Sequence, residues 1–177
     1  LGSAPLEEVY KLMKHEDKVE SKKKLDIDTS KTVVLIGYSG KQLHQHLPII
    51  QELSKREELK NSLHLLAPMT RGAGKEYCDR VDIALKKSGY TYTLLRDCFL
   101  SNEDVARLRN ATDITLQLST TDGFSRSIVE CVCAKSVLIY GNWLRYKEHL
   151  ENSKLIAHAV PSIEAGIDLL KNIADCI

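Results

Sequence analysis

The sequence lacks the patterns that mark several large classes of protein. Its apolar runs stop well short of the roughly 20 residues that a membrane-spanning helix needs, and its first residues contain no apolar segment typical of a secretion signal. Lysine and arginine (25) almost balance aspartate and glutamate (24), so the formal net charge is +1. We therefore expect no transmembrane segment and no nucleic-acid partner, and we expect a cytoplasmic location.

Metal and redox motifs are absent as well. The five cysteines are Cys78, Cys98, Cys131, Cys133 and Cys176. An odd number of cysteines without a CxxC pair predicts reduced, mostly buried thiols. His44 and His46 belong to no HExxH motif, and their spacing is more typical of polar surface or capping positions than of a metal site. We expect neither a metal nor a cofactor.

What the sequence does contain is a regular alternation of apolar runs and amphipathic segments. The apolar runs predict strands at residues 32–36, 63–67, 90–95, 112–118, 136–140 and 155–159. Helical periodicity is found at residues 43–59, 74–87, 101 onward, 124–135 and 162–173. Strand and helix alternating with short loops predict an α/β fold, in which helices cover both faces of a parallel sheet of about six strands.

The first 30 residues precede this alternation and are expected to be a linker. A short amphipathic helix is predicted over Leu6–Lys14, which we interpret as an inter-domain helix. The charge-rich stretch from His15 to Lys31 is more typical of a solvated connection than of a phosphate-binding patch. Residues 31–177 are the size of one domain.

Ligands of parallel sheets lie beyond the carboxyl ends of the strands, so the loops that follow the strands are the candidate site. Gly37, Gly40 and Lys41 follow the first strand, where glycines permit close approach to a ligand and the lysine can meet a phosphate. The spacing matches neither GxxxxGK[ST] nor GxGxxG, and an ordinary turn is the alternative. Arg71 and Lys75 follow the second strand. Arg71 can bind two diphosphate oxygens, or it is simply an exposed loop residue.

Two later loops carry aromatic residues. Phe99 follows the third strand and can lie near a nucleotide base, with a position in the core as the alternative. Trp143, the single tryptophan, follows the fifth strand and suits a core position, a domain contact or an acceptor-side surface. The spacing of the polar residues gives no Ser/His/Asp or Cys/His arrangement.

The loop after the fourth strand contains the most informative segment, with Asp122 and Glu130 placed eight positions apart. Between them a glycine–serine turn leads into a helix, whose first N–H groups lack intrahelical acceptors and favour an anion. The hydroxyls of Ser125 and Ser127 are donors at the same end. A phosphate here, with two nearby acids, suits a sugar nucleotide. The alternatives are that Asp122 is a helix N-cap and that Glu130 is an exposed helical glutamate.

This combination of loops resembles the C-terminal, donor-binding half of GT-B glycosyltransferases, in the retaining group that includes glycogen and sucrose synthases. The resemblance implies a Rossmann-like domain that forms one half of a GT-B fold. It implies that Glu130 binds the ribose hydroxyls of the nucleotide and that Asp122 is the catalytic, sugar-side acid. It also implies that the backbone N–H groups of Gly123, Phe124 and Ser125 bind the diphosphate.

The sequence departs from the family pattern at two positions. The first acid of the pair is usually glutamate and is Asp122 here. An arginine is expected after the glycine that ends the first strand, where Tyr38 stands, so Lys41 or Arg71 has to supply the charge that faces the phosphate. The loops at 36–46 and 68–77 are also similar to bacterial transferases that add 4-acetamido-4,6-dideoxygalactose to lipid-linked intermediates, which suggests work on cell-envelope polysaccharide.

The resemblance leads to a functional hypothesis. The chain is expected to bind a nucleotide-sugar donor and to serve transfer to a sugar or lipid-linked acceptor, together with an N-terminal acceptor-binding domain that the 177 residues do not contain. It is expected to be inactive alone, and peripheral association with the inner membrane is an alternative to a purely cytoplasmic location. Other GT-B-type enzymes, such as sugar-nucleotide 2-epimerases or pyruvyl transferases, and a non-catalytic Rossmann-like binding module are the competing interpretations.

Overall fold

The computed structural model describes residues 6–151 and 156–176. Six strands form one parallel sheet in the order β3-β2-β1-β4-β5-β6. The strands are β1 (Thr32–Ile36), β2 (Leu63–Pro68), β3 (Thr91–Leu95), β4 (Ile114–Gln117), β5 (Val137–Gly141) and β6 (Ala157–Val160). The predicted α/β sheet is therefore confirmed. The predicted start of the sixth strand, residue 155, and residues 1–5 of the expected linker lie outside the described residues.

Eight α-helices accompany the sheet in the described part of the chain. They are α1 (Leu6–Met13), α2 (Lys18–Lys24), α3 (His46–Leu53), α4 (Lys75–Ser88), α5 (Asn102–Ala111), α6 (Arg126–Cys133), α7 (Lys147–Leu150) and α8 (Ile163–Ala174). Helix α3 packs against α4 and α8, while α5 packs against α1, α2 and α6. These two groups of helices form the outer layers of a three-layer domain.

Strand β1 shows why both faces of the sheet are covered. Val34 and Ile36 belong to the core cluster shared with α3, α4 and α8. Val33 and Leu35 point to the other face, where they pack with residues of α5 and α6. Side chains alternate along a strand, so an uninterrupted β-branched run can be buried only if apolar layers lie on both sides.

The segment before the sheet differs from the prediction of a solvated connection. Residues Lys18–Lys24 form helix α2, which is capped by the side chain of Asp17. Lys22 is only 6% exposed, and its Nζ lies 2.7 Å from a carboxylate oxygen of Asp113, next to the start of β4. A lysine can be buried at such a site because an opposite charge compensates for the lost hydration. The prediction of a solvated stretch fails at Lys22, whose partner is remote in the sequence, whereas Lys23 and Lys24 are exposed as expected.

The helix predicted over residues 43–59 is also interrupted. A 3₁₀ turn at Gln42–His44 precedes α3, and a second 3₁₀ turn at Glu57–Leu59 follows it. Gln45, between the first turn and α3, has a left-handed backbone with φ of 57°. Pro48 lies in the first turn of α3, where the missing N–H costs no intrahelical hydrogen bond.

Two further sequence predictions can be compared with the structure. Cys78 and Cys131 are buried, but Cys98, Cys133 and Cys176 are exposed, so the prediction of mostly buried thiols was wrong. Within residues 6–151 and 156–176, no helix combines the length and apolarity required to cross a bilayer.

Candidate functional site

The candidate site lies at the point in the sheet where the strand order switches from one side of β1 to the other. From β1 the chain first builds outward to β2 and β3, and it then returns to place β4 on the other side of β1. Such a switch point leaves a crevice beyond the carboxyl ends of the two central strands. The loops that follow β1, β4 and β5 meet at this edge.

Asp122 joins these three loops. Its carboxylate accepts hydrogen bonds from the hydroxyl of Tyr38, after β1, and from the hydroxyl of Tyr146, after β5. The backbone N–H of Ser125 donates to the same carboxylate at 3.0 Å. Tyr146 is fully buried, and its oxygen also accepts a hydrogen bond of 2.9 Å from the amide of Gln117 at the end of β4. The result is a continuous hydrogen-bond network across three neighbouring strands.

The network fixes the protonation states of its members. Burial alone raises the pKa of Asp122, but the hydrogen bonds from Tyr146, Tyr38 and the Ser125 amide outweigh it and hold the pKa below its usual value. Burial and the bond to Asp122 raise the pKa of Tyr38 to about 12, and the same two causes raise the pKa of Tyr146 above its usual value. At neutral pH Asp122 is therefore an anion that accepts bonds from two protonated hydroxyls.

Helix α6 begins directly beside this carboxylate. Its N-cap is Ser125, so the alternative in which Asp122 is the N-cap is wrong. Phe124 precedes the cap with φ of 59°, in the left-handed region, and its ring stacks on His149 at 4.6 Å. Ser125 Oγ is buried and lies next to the Tyr38 hydroxyl, where it partly offsets the rise in the pKa of that hydroxyl. The first N–H groups of a helix lack intrahelical acceptors, so this end of α6 is suited to an anion.

Glu130 is not the exposed glutamate of the alternative interpretation, because it is only 4% exposed. One carboxylate oxygen lies 3.2 Å from Nε of Arg109 on α5, and the other lies 2.8 Å from Nε of Arg126. The Arg109 side chain is 6% exposed, whereas that of Arg126 is 33% exposed. Glu130 therefore lies between a buried cation and a more accessible one, and it is separate from the Asp122 network.

The loops after β1 and β2 pack against each other. The N–H of Gly40 donates to the carbonyl of Arg71 at 2.7 Å, and a Cβ placed on Gly40 would lie 2.4 Å from the Cβ of Ala73. In the same pair of loops, a Cβ placed on Gly72, whose φ is 78°, would lie 2.6 Å from Cγ of Lys41. Close packing of two loops is thus a structural reason for these glycines, independent of any ligand.

Three predicted cations remain available at this edge. Lys41, Arg71 and Lys75 are all exposed, and none of them forms a salt bridge with another described residue. Lys41 and Arg71 lie in the two packed loops, and Lys75 is the first residue of α4. An exposed, unpaired cation keeps its charge for an incoming anion.

Phe99 lies apart from the Asp122 network, beyond β3. It is 79% exposed, so its placement in the core is wrong. Trp143 is 40% exposed, and its Nε1 donates to the carbonyl of Ser119 at 2.8 Å, which ties the loop after β5 to the end of β4. Gly141 makes room for it, because a Cβ there would lie 2.3 Å from the indole ring.

The sequence reasoning missed two buried histidines beneath the β1 loop. His44 and His46 are 1% and 0% exposed, which corrects the expectation of polar surface or capping positions. His44 Nε2 is 3.0 Å from Ser39 Oγ, and His46 Nε2 would be 2.8 Å from a Cβ on Gly37, whose φ is 70°. His44 Nδ1 and His46 Nε2 have no partner in the described part of the chain. Burial lowers the pKa of each to about 4, so both are neutral at pH 7.

Metal binding finds no support among the described residues, where no group of three or more His, Cys, Asp or Glu side chains is placed to hold an ion.

Tyr146 and Arg109 were also missed by the sequence reasoning. No spacing rule pointed to either residue, because each reaches its partner only through the folded sheet.

Comparisons with solved structures agree on the fold. Sucrose-phosphate synthase from Thermosynechococcus elongatus aligns with 94% of this chain at 14% identity and a TM-score of 0.70, over 41% of its own length. A glycosyltransferase from Rickettsia africae aligns with 94% of the chain at 18% identity and a TM-score of 0.67, over 42% of its length. The C-terminal domain of a group 1 family glycosyl transferase from Francisella tularensis aligns with 90% of the chain at 14% identity and a TM-score of 0.68, over 83% of its length.

These likenesses confirm an α/β Rossmann-like fold that corresponds to one half of a GT-B glycosyltransferase. The chain spans about two-fifths of the length of the first two proteins. The sequence matches no protein-family model and no curated protein.

Proposed function

We propose that this chain is the donor-binding domain of a GT-B-type glycosyltransferase and binds the nucleoside diphosphate of a nucleotide sugar. The observation that carries the proposal is the meeting of the β1, β4 and β5 loops on Asp122, at the switch point of the sheet and beside the start of α6. The glycosyltransferase structures that share the fold support the same role. In the whole enzyme, a second domain would bind the sugar or lipid-linked acceptor during polysaccharide or glycoconjugate synthesis.

The diphosphate is assigned to the start of α6. The amides of Gly123 and Phe124 lead into the positive end of the helix dipole, whereas the Ser125 amide, also expected from the resemblance, already donates to Asp122. Lys41 and Arg71 extend from the two packed loops as exposed cations that can face the phosphates. When the bond between the sugar and the diphosphate breaks, negative charge grows on the leaving group, and donors held in place by the fold stabilise that charge.

Glu130 is assigned to the ribose hydroxyls. To accept them, its carboxylate has to share an oxygen now bound to Arg126, while the buried Arg109 keeps the other oxygen oriented. Asp122 is assigned to the sugar side of the donor, since three of about four lone-pair directions of a carboxylate are occupied and one remains for a sugar hydroxyl. Phe99, exposed beyond β3, is assigned to the side of the base.

Titration calorimetry with UDP, GDP and TDP tests the proposal on the 177-residue chain. Lys41→Ala and Arg71→Ala should each weaken binding roughly five- to tenfold, because each removes a charge-assisted contact. Lys87→Ala is the matched control, since Lys87 is an exposed lysine near the far end of α4 and should leave the affinity unchanged. A wild-type chain that binds none of the three nucleotides at millimolar concentration would refute the proposal and favour a non-catalytic module.

Glu130→Gln tests the ribose assignment. The substitution keeps the shape of the side chain but removes its charge, so binding should weaken about tenfold. Because the change also leaves Arg109 without its counter-charge, the melting temperature has to be followed in parallel and binding measured well below it. Glu57→Gln, in an exposed pair with Lys60 before β2, is the control. Unchanged affinity of the Glu130 variant for a nucleotide that the wild type binds would remove Glu130 from the site.

A further inference from the structure

Asp122 accepts more hydrogen bonds from the protein than a carboxylate that only contacts a ligand would need. A carboxylate can accept about four hydrogen bonds, and Asp122 accepts three from the protein itself. Two of the donors are tyrosine hydroxyls from loops 84 and 24 residues away in sequence. The Tyr146 hydroxyl in turn accepts a hydrogen bond from the side-chain amide of Gln117. Most of the acceptor capacity of Asp122 is therefore used to join parts of the protein.

The segment that Asp122 holds is conformationally demanding. Phe124, between Asp122 and the N-cap, has φ of 59°, a left-handed conformation that is unfavourable for a residue with a Cβ. Its ring packs edge-on against Tyr146 at 4.9 Å and stacks on His149 at 4.6 Å. Tyr146 thus touches the turn twice, through the ring of Phe124 and through the carboxylate of Asp122. The position of the first turn of α6 depends on both contacts.

We propose that Tyr38 and Tyr146 are positioning residues that clamp the Asp122 carboxylate against the Ser125 amide and so fix the start of α6 for a nucleoside diphosphate. This inference rests on the proposed function, because it concerns how the same site is organised. Tyr38 follows Gly37 in the loop after β1. Here the hydroxyl acts on the ligand through Asp122, and the phosphate charge is met by Lys41 and Arg71.

The clamp makes a prediction that ordinary packing does not. If Tyr146 acts through Asp122, its hydroxyl is useful only while the carboxylate is present. Tyr146→Phe should weaken binding of the tightest of UDP, GDP and TDP about tenfold in the wild-type background, and Tyr38→Phe by roughly three- to tenfold. In an Asp122→Ala background, Tyr146→Phe should weaken binding by no more than about twofold.

Calorimetry on this set of variants, with far-UV circular dichroism and melting temperature recorded for each, completes the double-mutant cycle. Tyr92→Phe is the matched control. Tyr92, on β3, also donates to a carboxylate, that of Asp82 on α4, at 2.9 Å, and the loss of its hydroxyl, which is not part of the Asp122 network, should not change the affinity. If Asp122→Ala does not fold, Asp122→Leu serves in its place, since it keeps a side chain of similar size and removes both acceptor oxygens.

The outcomes separate the clamp from the proposed function. Nucleotide binding by the wild type, with tenfold weakening in Tyr146→Phe that disappears in the Asp122 background, supports both. Nucleotide binding with unchanged affinity in both tyrosine variants, or with equal losses in the two backgrounds, overturns the clamp and leaves the proposed function standing. Absence of binding by the wild type overturns the proposed function and the clamp with it.

Discussion

Replacing Asp113 by asparagine tests the buried charge cluster that attaches α2 to the sheet. The Asp113 carboxylate lies 2.7 Å from Nζ of Lys18 and 2.7 Å from Nζ of Lys22, and it accepts the N–H of Val33 at 2.8 Å. The side chains of Asp113 and Lys22 are only 3% and 7% exposed. The substitution keeps the shape and one oxygen acceptor, but it leaves Lys22 as a buried cation without a counter-charge.

The size of the effect follows from that burial. Removing one partner of a buried ion pair costs about 3–5 kcal/mol, and Lys22 keeps one hydrogen bond, to the carbonyl of Lys31 at 2.9 Å. We therefore expect the free energy of unfolding to fall by about 3 kcal/mol, the lower end of the range. Since single domains are stable by roughly 5–15 kcal/mol in total, this is a substantial part of the whole.

Urea denaturation at pH 7, followed by circular dichroism, measures the change. Asp82→Asn is the control, because Asp82 pairs with Lys86 at 2.7 Å on the surface, where Lys86 is 64% exposed, and its loss should cost less than about 1 kcal/mol. A loss at Asp113 no larger than the loss at Asp82 would refute the reasoning from burial.

The same site has a defined pH dependence. Burial alone raises the pKa of Asp113, but the bonds from Lys18, Lys22 and Val33 outweigh it, so its folded-state pKa lies below the unfolded value. The stabilisation is therefore present above the unfolded pKa, about 3.9, and is lost as the pH falls through the folded pKa. The wild type and Asp113→Asn should converge in stability in acid.

Two further predictions concern the base of the candidate site and the buried histidines. Gly37→Ala places a Cβ 2.8 Å from Nε2 of His46 at φ of 70° and should lower the unfolding free energy by about 1–3 kcal/mol. Gly74→Ala meets no atom within 4 Å and should lower it by less than about 1 kcal/mol, because Gly74 is the N-cap of α4 and alanine is a poorer cap. Equal effects in urea denaturation would contradict the assigned contact at Gly37. Burial lowers the pKa of His44, His46 and His64 to about 4. Below pH 6.5 the unfolded chain therefore binds more protons at these histidines than the folded chain does. The free energy of unfolding should fall by roughly 1.5 kcal/mol per histidine between pH 6.5 and 5. His64→Gln should remove one such increment, and an unchanged pH slope would show that His64 does not titrate as its burial requires.

Much of the fold follows from local pattern. The runs at 32–36 and 63–68 consist almost entirely of apolar or β-branched residues, and such runs are stable as strands only when both faces are covered. Gly89 ends α4 with φ of 80°, and Ser101 and Asp104 form a capping box at the start of α5. These signals act over a few residues, so the sequence displays them directly.

The candidate site was predictable only in outline. The sequence pointed to the loop that carries Asp122 and to the loop after β1, because the carboxyl ends of parallel strands meet at one edge. It did not reveal that Tyr38 and Tyr146 would hold Asp122, or that Arg109 and Arg126 would enclose Glu130. Each of these contacts, except the one between Arg126 and Glu130, joins residues more than 20 positions apart.

By itself, then, the order of apolar and polar residues determined the alternation of strands and helices and the edge at which polar loops collect, because periodicity and turn chemistry are short-range properties. The tertiary structure alone decided which charges are buried, which histidines lose their protons and what Asp122 binds. Those outcomes depend on desolvation and on pair distances between remote segments. Such quantities exist only once β1, β4 and β5 lie side by side.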